Sequence, residues 1–170
     1  MDITAILKDK GLKAKAKTEC ICQMILEGNL STDELIDVAM SCKDADKATC
    51  IEALEFATKQ QPKIASAACL DFVTKTLLDK APRVKWESAK VIGNIAHLYP
   101  TKLNDAVNHL LVNTESSGTV VRWSAAFALG EIITLKTTLN KTLVPAIEAI
   151  CNREEKNSIK KIYITALKKV

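Results

Sequence analysis

Apolar side chains recur every three or four positions through the middle of the chain. Between positions 84 and 96 they share one side of a helix drawn at about 100° per residue. That side holds Val84, Ser88, Ala89, Ile92, Ile95 and Ala96. The other side is polar and holds Arg83, Glu87, Lys90, Asn94 and His97. This spacing is typical of an amphipathic helix with one face in a core.

Start and stop signals predict further helices along the chain. Ser31 and Glu34 have the spacing of a capping box, so a helix begins there. Pro62 and Pro82 suit the first position of a helix, and Pro100 ends the helix before it. The predicted helices run from 31 to about 42, 44 to 59, 62 to 78, 82 to 98, 102 to 114, 119 to 134, 138 to 152 and 157 to 169. The short connections predict antiparallel neighbours.

An internal repeat organises these helices. The segment Val84–Ile95 aligns without a gap on Val121–Ile132, at an offset of about 37 residues. One helix pair cannot bury its apolar face alone, so a helical repeat of this length predicts stacked pairs. We therefore predict a single all-α domain over residues 1–170. Its units are expected near 2–28, 31–60, 62–98, 101–134 and 138–170.

The outer repeats align less clearly. An offset of about 36 residues places Ala48, Cys50, Ala53 and Phe56 on Val84, Trp86, Ala89 and Ile92. Departures at the ends are expected, because terminal repeats must cap the stack.

The two central segments resemble the second helix of HEAT repeats, which are armadillo-like. They share a Val-Lys or Val-Arg pair, a small residue in the middle, and a terminal Ile-Gly or Leu-Gly pair. The resemblance implies a right-handed α–α superhelix of about five helix pairs, whose second helices line a concave groove. The family often has Asp before the Val-Arg pair, whereas Arg83 and Val120 stand there in this chain. The hydrogen-bond ladder that such an Asp supports is therefore not expected.

The resemblance places the polar side of each second helix in the groove. The candidate partner-binding residues are Arg83, Glu87, Lys90, Asn94, Phe127 and Glu131. Phe127 stands out, because an aromatic side chain on a solvated face is a candidate anchor for a partner. The alternative is that a neighbouring helix buries its ring.

Two tryptophans occupy matching positions in the central repeats. Trp86 and Trp123 follow Lys85 and Arg122, and these four residues could form a surface for nucleic-acid bases. Alternatively, each indole fills the seam between repeats, with Gly93 or Gly130 making room.

Composition narrows the choice of function. The net charge of +4 is mild for a nucleic-acid binder, although lysines crowd both ends of the chain. No apolar run is long enough to span a membrane, and the first 30 residues lack a signal-peptide pattern. We therefore expect a cytoplasmic protein whose six cysteines are reduced.

Recognisable catalytic motifs are missing from the sequence. His97 and His109 fall in different predicted helices, and Cys20 and Cys22 are too close together for a Cys-x-x-Cys motif. We predict no catalytic residue, no metal site and no cofactor. The favoured function is a non-enzymatic scaffold that binds a protein or peptide in its groove.

The alternative is a nucleic-acid-binding protein, resembling the HEAT-repeat alkylpurine DNA glycosylases. HEAT-like lyases that attach bilin pigments are a third possibility, by likeness of fold alone. The oligomeric state and the partner's identity stay open.

Overall fold

The computed structural model describes residues 2–170, and this part of the chain contains ten α-helices and no strand. The helices are α1 Ile3–Lys8, α2 Ala14–Leu26, α3 Thr32–Ser41, α4 Asp44–Gln60, α5 Ala67–Thr76, α6 Pro82–Ile95, α7 Asn104–Asn113, α8 Thr119–Ile133, α9 Asn140–Arg153 and α10 Asn157–Leu167. Two short 3₁₀ turns, Pro62–Ile64 and Ala96–Leu98, precede α5 and follow α6. The predicted all-α class is confirmed.

Consecutive helices form five pairs that stack into a solenoid. The second helices of the pairs, α2, α4, α6, α8 and α10, pack side by side in that order. The first helices, α1, α3, α5, α7 and α9, form an outer layer that is in looser contact. A stack bends toward its more closely packed layer, so the second helices line the concave face.

The core lies between the two layers. Ile92 and Leu129 on the second helices are fully buried, as are Leu70 and Leu110 on the first helices. Burying each such side chain contributes about 1.5–3 kcal/mol. Because every pair contributes to one continuous core, each unit is stabilised mainly by its neighbours.

The helix start predicted at Ser31 is confirmed, whereas the one predicted at Pro62 is wrong. Ser31 and Glu34 form the expected capping box: the Glu34 N–H donates to Ser31 Oγ, and the Ser31 N–H donates to Glu34 Oε2 at 2.8 Å. The helix expected from Pro62 instead begins at Ala67. Ser66 provides the reason, because its hydroxyl accepts the Cys69 N–H at 3.1 Å, whereas Gln61, the residue before Pro62, forms no side-chain cap hydrogen bond.

Ion pairs connect successive repeats at the start of the second helices. Lys47 of α4 lies 3.1 Å from Asp79, and Arg122 of α8 lies 3.0 Å from Glu154. Both carboxylates lie in the turn before the next second helix, and each accepts a backbone N–H there. Burial raises the pKa of both carboxyls, but these hydrogen bonds and the cations outweigh it and hold each pKa below its ordinary value.

Candidate functional site

Most of the predicted partner-binding residues lie on the groove side of α6 and α8. Arg83, Lys90 and Asn94 lie half-buried on α6, while Phe127 is half-buried and Glu131 exposed on α8. Glu87 departs from the expected exposed row, because only 4% of its surface is accessible.

Glu87 belongs to a buried charge cluster between α4 and α6. The Lys90 ammonium lies 3.0 Å from Glu87 Oε2 and 3.3 Å from Glu55 Oε2. The Trp86 indole N–H donates to the other Glu87 oxygen at 2.7 Å. Each glutamate side chain is 5% exposed and that of Lys90 is 25% exposed. With two carboxylates and one ammonium, the cluster carries one net negative charge when all three groups are ionised.

The three groups influence one another's protonation. Burial raises the pKa of Glu87, and the attraction of Lys90 only partly opposes it. Burial alone would lower the pKa of Lys90, but Glu87 and Glu55 outweigh it and raise this pKa. Lys90 therefore stays charged and holds α4 to α6, so its ammonium is already occupied within the fold.

A second set of polar contacts crosses three helices. Glu52 Oε2 accepts hydrogen bonds from Thr18 Oγ1 of α2 and from Arg83 Nη2 of α6, both at 2.7 Å. Asn94 Nδ2 donates to the Glu55 carbonyl at 3.1 Å and to Thr58 Oγ1 at 3.2 Å. The Asn94 carbonyl oxygen accepts no hydrogen bond from residues 2–170. It is therefore a free acceptor on the groove surface.

Two aromatic rings on α8 form a shelf in the groove. Trp123 and Phe127 stack with their ring centroids 6.1 Å apart and their planes inclined by 10°. The Trp123 residue remains 38% exposed, whereas Phe127 packs into the seam against Gly93 of α6. We call this pair the aromatic shelf.

The side chains that face Gly93 and Gly130 are Phe127 and Ala166, not the indoles of Trp86 and Trp123. A Cβ on Gly93 would collide with Phe127, and one on Gly130 would lie 3.3 Å from the Cβ of Ala166 on α10. The two glycines therefore make room for side chains of the following repeat. Trp86 is half-buried beside Glu87, and Trp123 lies against the outer side of Phe127.

A cavity of about 310 Å³ adjoins the aromatic shelf between α8 and α10. Phe127 and Ile162 supply apolar surface, with Glu131 on the α8 wall and Lys161 and Lys169 on the α10 side. The α10 residues were missed from the sequence because this helix matches the repeat poorly. The one available signal was the small residue Ala166, which faces Gly130.

Some of the candidate nucleic-acid residues are engaged in contacts within the protein, and others are not. Arg122 donates to Glu154 and to the carbonyl oxygens of Ser116 and Ser117, so its guanidinium is engaged within the protein. Lys85 is half-buried and has no ion pair within residues 2–170. Of the two indoles, Trp86 is hydrogen-bonded to the buried cluster and Trp123 lies open on the shelf.

Residues 2–170 contain neither a metal-ligand cluster nor a membrane-spanning helix. No group of three or more His, Cys, Asp and Glu side chains there is arranged to hold a metal ion. Nor does any helix in this range combine the length and apolarity that a bilayer crossing requires.

Comparison with known proteins identifies the architecture. No protein-family model matches the chain, and no curated protein matches its sequence. The designed armadillo repeat protein YIII(Dq)4CqI has a similar structure, with a TM-score of 0.74 and 18% identity over 98% of this chain and 80% of that one. An engineered protein is similar with a TM-score of 0.54 and 14% identity, over 99% of this chain and 96% of that one. The chain therefore has an armadillo/HEAT-like repeat fold.

Proposed function

We propose that this protein is a non-enzymatic binding scaffold whose concave groove holds an extended segment of a partner protein. The observation that carries the proposal is the aromatic shelf, which opens onto a cavity bordered by opposite charges. Of the predicted contact residues, Arg83, Asn94, Phe127 and Glu131 remain candidates, to which we add Trp123 and Lys161. Glu87 and Lys90 are withdrawn, because Glu87 is buried and the Lys90 ammonium is paired with Glu55 and Glu87.

The aromatic shelf supplies the apolar anchor. Aromatic residues make up only 4% of the chain, yet two of them stack here and one remains open to solvent. Large aromatic side chains at partly exposed positions dominate many interfaces, because they bury much surface with little loss of entropy. A partner side chain seated between Phe127 and Ile162 would bury apolar surface from both proteins.

Polar groups beside the shelf suit a peptide backbone and charged side chains. An extended segment leaves N–H groups unpaired, and these need acceptors once they are removed from water. The free carbonyl oxygen of Asn94 can accept one such N–H. Glu131 and Lys161, on opposite sides of the cavity, can pair with a basic and an acidic side chain respectively.

A nucleic-acid ligand has weaker support. Glu52 and Glu131 border the groove and would repel phosphate groups. Arg122, the strongest candidate for a phosphate contact, is paired with Glu154. The +4 net charge is modest, so we rank protein binding above nucleic-acid binding.

A random peptide library displayed on phage provides a suitable probe, followed by calorimetry with the selected peptides. Phe127→Ala and Trp123→Ala should each lower affinity at least tenfold, since each removes an aromatic anchor. Val112→Ala is the matched control, because Val112 is 58% exposed on the outer helix α7. It should bind like the wild type.

Selected peptides that bind both aromatic variants unchanged would place the site elsewhere. An electrophoretic shift with duplex and single-stranded DNA tests the alternative. We expect no shift at micromolar protein. A salt-sensitive shift that disappears when Lys85 is changed to Glu would favour nucleic acid.

A further inference from the structure

The outer layer of helices carries a second groove, between α3 and α5. Its cavity is about 380 Å³ and faces away from the concave groove. Ile36 and Phe72, 7% and 8% exposed, supply apolar surface at its base, and Met40 lies at its edge with 62% of its surface exposed. Methionine is flexible and polarizable, so it adapts well to apolar groups of different shape.

Three aspartates border this outer groove: Asp33, Asp37 and Asp71. All are exposed, and none forms an ion pair within residues 2–170. Asp33 accepts a hydrogen bond from Ser66 Oγ at 2.5 Å, whereas Asp37 and Asp71 have no side-chain partner in the same range. Lys75, four residues after Asp71 on α5, also lines the groove but does not come within ion-pair distance of Asp71. With three carboxylates and one ammonium, the groove carries two net negative charges when all four groups are ionised.

Only Asp33 has an evident structural role: it lies in the first turn of α3, where a carboxylate suits the helix dipole, and it accepts the Ser66 hydrogen bond. Asp33 and Asp37 are four residues apart on α3, where like charges repel and weaken the helix. The chain as a whole carries a net charge of +4, so the concentration of carboxylates here is opposite to the overall charge. Unpaired carboxylates around an apolar surface are complementary to a cationic amphipathic ligand.

We propose that the α3–α5 groove docks a lysine- or arginine-rich amphipathic segment of a partner protein. An apolar side chain of that segment would lie on Met40 and Phe72, and its cationic side chains would face Asp37 and Asp71. An anionic membrane surface or a nucleic acid would be repelled by the same carboxylates. The docking surface is separate from the concave groove and does not depend on its function.

A fluorescein-labelled helical peptide of leucine and lysine tests the proposal. Fluorescence anisotropy measures its affinity, and amide chemical shifts of the full chain locate its site. We expect shifts on α3 and α5, and an affinity about tenfold lower for the double variant Asp37→Asn, Asp71→Asn. Asp105→Asn is the control, since Asp105 is an exposed aspartate on the outer helix α7 and should have no effect.

Further measurements distinguish binding in the α3–α5 groove from binding in the concave groove and from self-association. The Phe127→Ala variant should bind the peptide normally, which separates this surface from the concave groove. A peptide with glutamate in place of lysine should not bind, and added salt should weaken the lysine peptide. Equal binding by the double variant, or shifts confined to α6, α8 and α10, would overturn the proposal. So would self-association of the wild type that the double variant abolishes, because a second copy would then occupy the groove.

Discussion

The phenyl ring of Phe127 on α8 occupies the space that a side chain on Gly93 of α6 would need. A Cβ built on Gly93 would lie 2.8 Å from Cδ1 of that ring. The same ring stacks on Trp123 and borders the cavity beside α10. The absence of a side chain at position 93 therefore determines where the aromatic shelf stands.

In Gly93→Ala the ring of Phe127 must shift, which should cost about 1–3 kcal/mol. Alanine gains about 1 kcal/mol in helix propensity, so the free energy of unfolding should fall by up to about 2 kcal/mol. Urea denaturation measures the change, and tryptophan fluorescence reports any movement of the shelf.

Gly118→Ala is the control for this substitution. A Cβ there meets its nearest atom at an ordinary 3.5 Å, so no ring has to move. Gly118 is the N-cap of α8, where alanine is less favourable than glycine, so a loss of up to about 1 kcal/mol is expected, without any change in the shelf. In a Phe127→Ala background, Gly93→Ala should become neutral or stabilising. If it is equally harmful there, the contact between these two residues is not the cause.

Lys90→Met should destabilise the fold by about 3 kcal/mol at neutral pH, because it leaves Glu55 and Glu87 buried without a cation. The pKa of Glu87, already above 4.5 in the folded protein, should rise further. A carboxyl whose pKa is higher in the folded state destabilises the fold progressively as pH rises through that range. The deficit should therefore be smaller near about pH 5 than at neutral pH.

In the wild type, the contribution of Lys90 to stability should in turn be lost at alkaline pH. Since the pKa of Lys90 is raised above 10.5, its stabilising contribution is complete below that pH and is lost above it. Lys85→Met is the matched control on the same helix. A pH-independent loss in Lys90→Met, or an equal loss in Lys85→Met, would contradict the assignment.

Arg122→Ala should cost about 3 kcal/mol, because Glu154 is 6% exposed and would lose its cation. Arg153→Ala provides the contrast. That side chain pairs with Glu115, both are more than half exposed, and its loss should cost less than about 1 kcal/mol. Thermal unfolding of the two variants compares them directly.

The Arg122 effect should also depend on pH. The pKa of Glu154 is depressed, so its contribution is present above 4.5 and is lost as pH falls. The difference between the wild type and Arg122→Ala should therefore shrink in acid. A difference that grows in acid would show that Glu154 is not the partner that matters.

Cys50 and Cys69 should resist alkylation in the native protein. Both are fully buried, and burial raises the pKa of each thiol to about 12. At about pH 8, only about one thiol in ten thousand would then be ionised. Mass spectrometry after iodoacetamide treatment should find Cys20, which is partly exposed, modified first. Modification of Cys50 at the rate of Cys20 without denaturant would contradict this environment.

The alignment of the second repeat illustrates a limit of sequence comparison. The offset of about 36 residues places Phe56 on Ile92, yet Phe56 is half-buried and Ile92 is fully buried. The structure shifts the match by two residues, so that Lys47 takes the place of Lys85 and Arg122 near the helix start. Apolar residues recur every three or four positions, so neighbouring registers of an amphipathic helix look alike in sequence.

The helical class was predictable from the amino-acid pattern alone, as were the stacking of helix pairs and the capping box at Ser31. These depend on periodicity and local hydrogen bonding, which nearby residues specify. Contacts between repeats, by contrast, bury Glu87, place Phe127 on Gly93 and pair Arg122 with Glu154. Each of these outcomes depends on a neighbouring repeat, since Glu55, Gly93 and Glu154 lie about 32–34 residues away in the chain. The packing of each repeat on the next determines which distant side chains meet, and a pattern along a single helix does not contain that information.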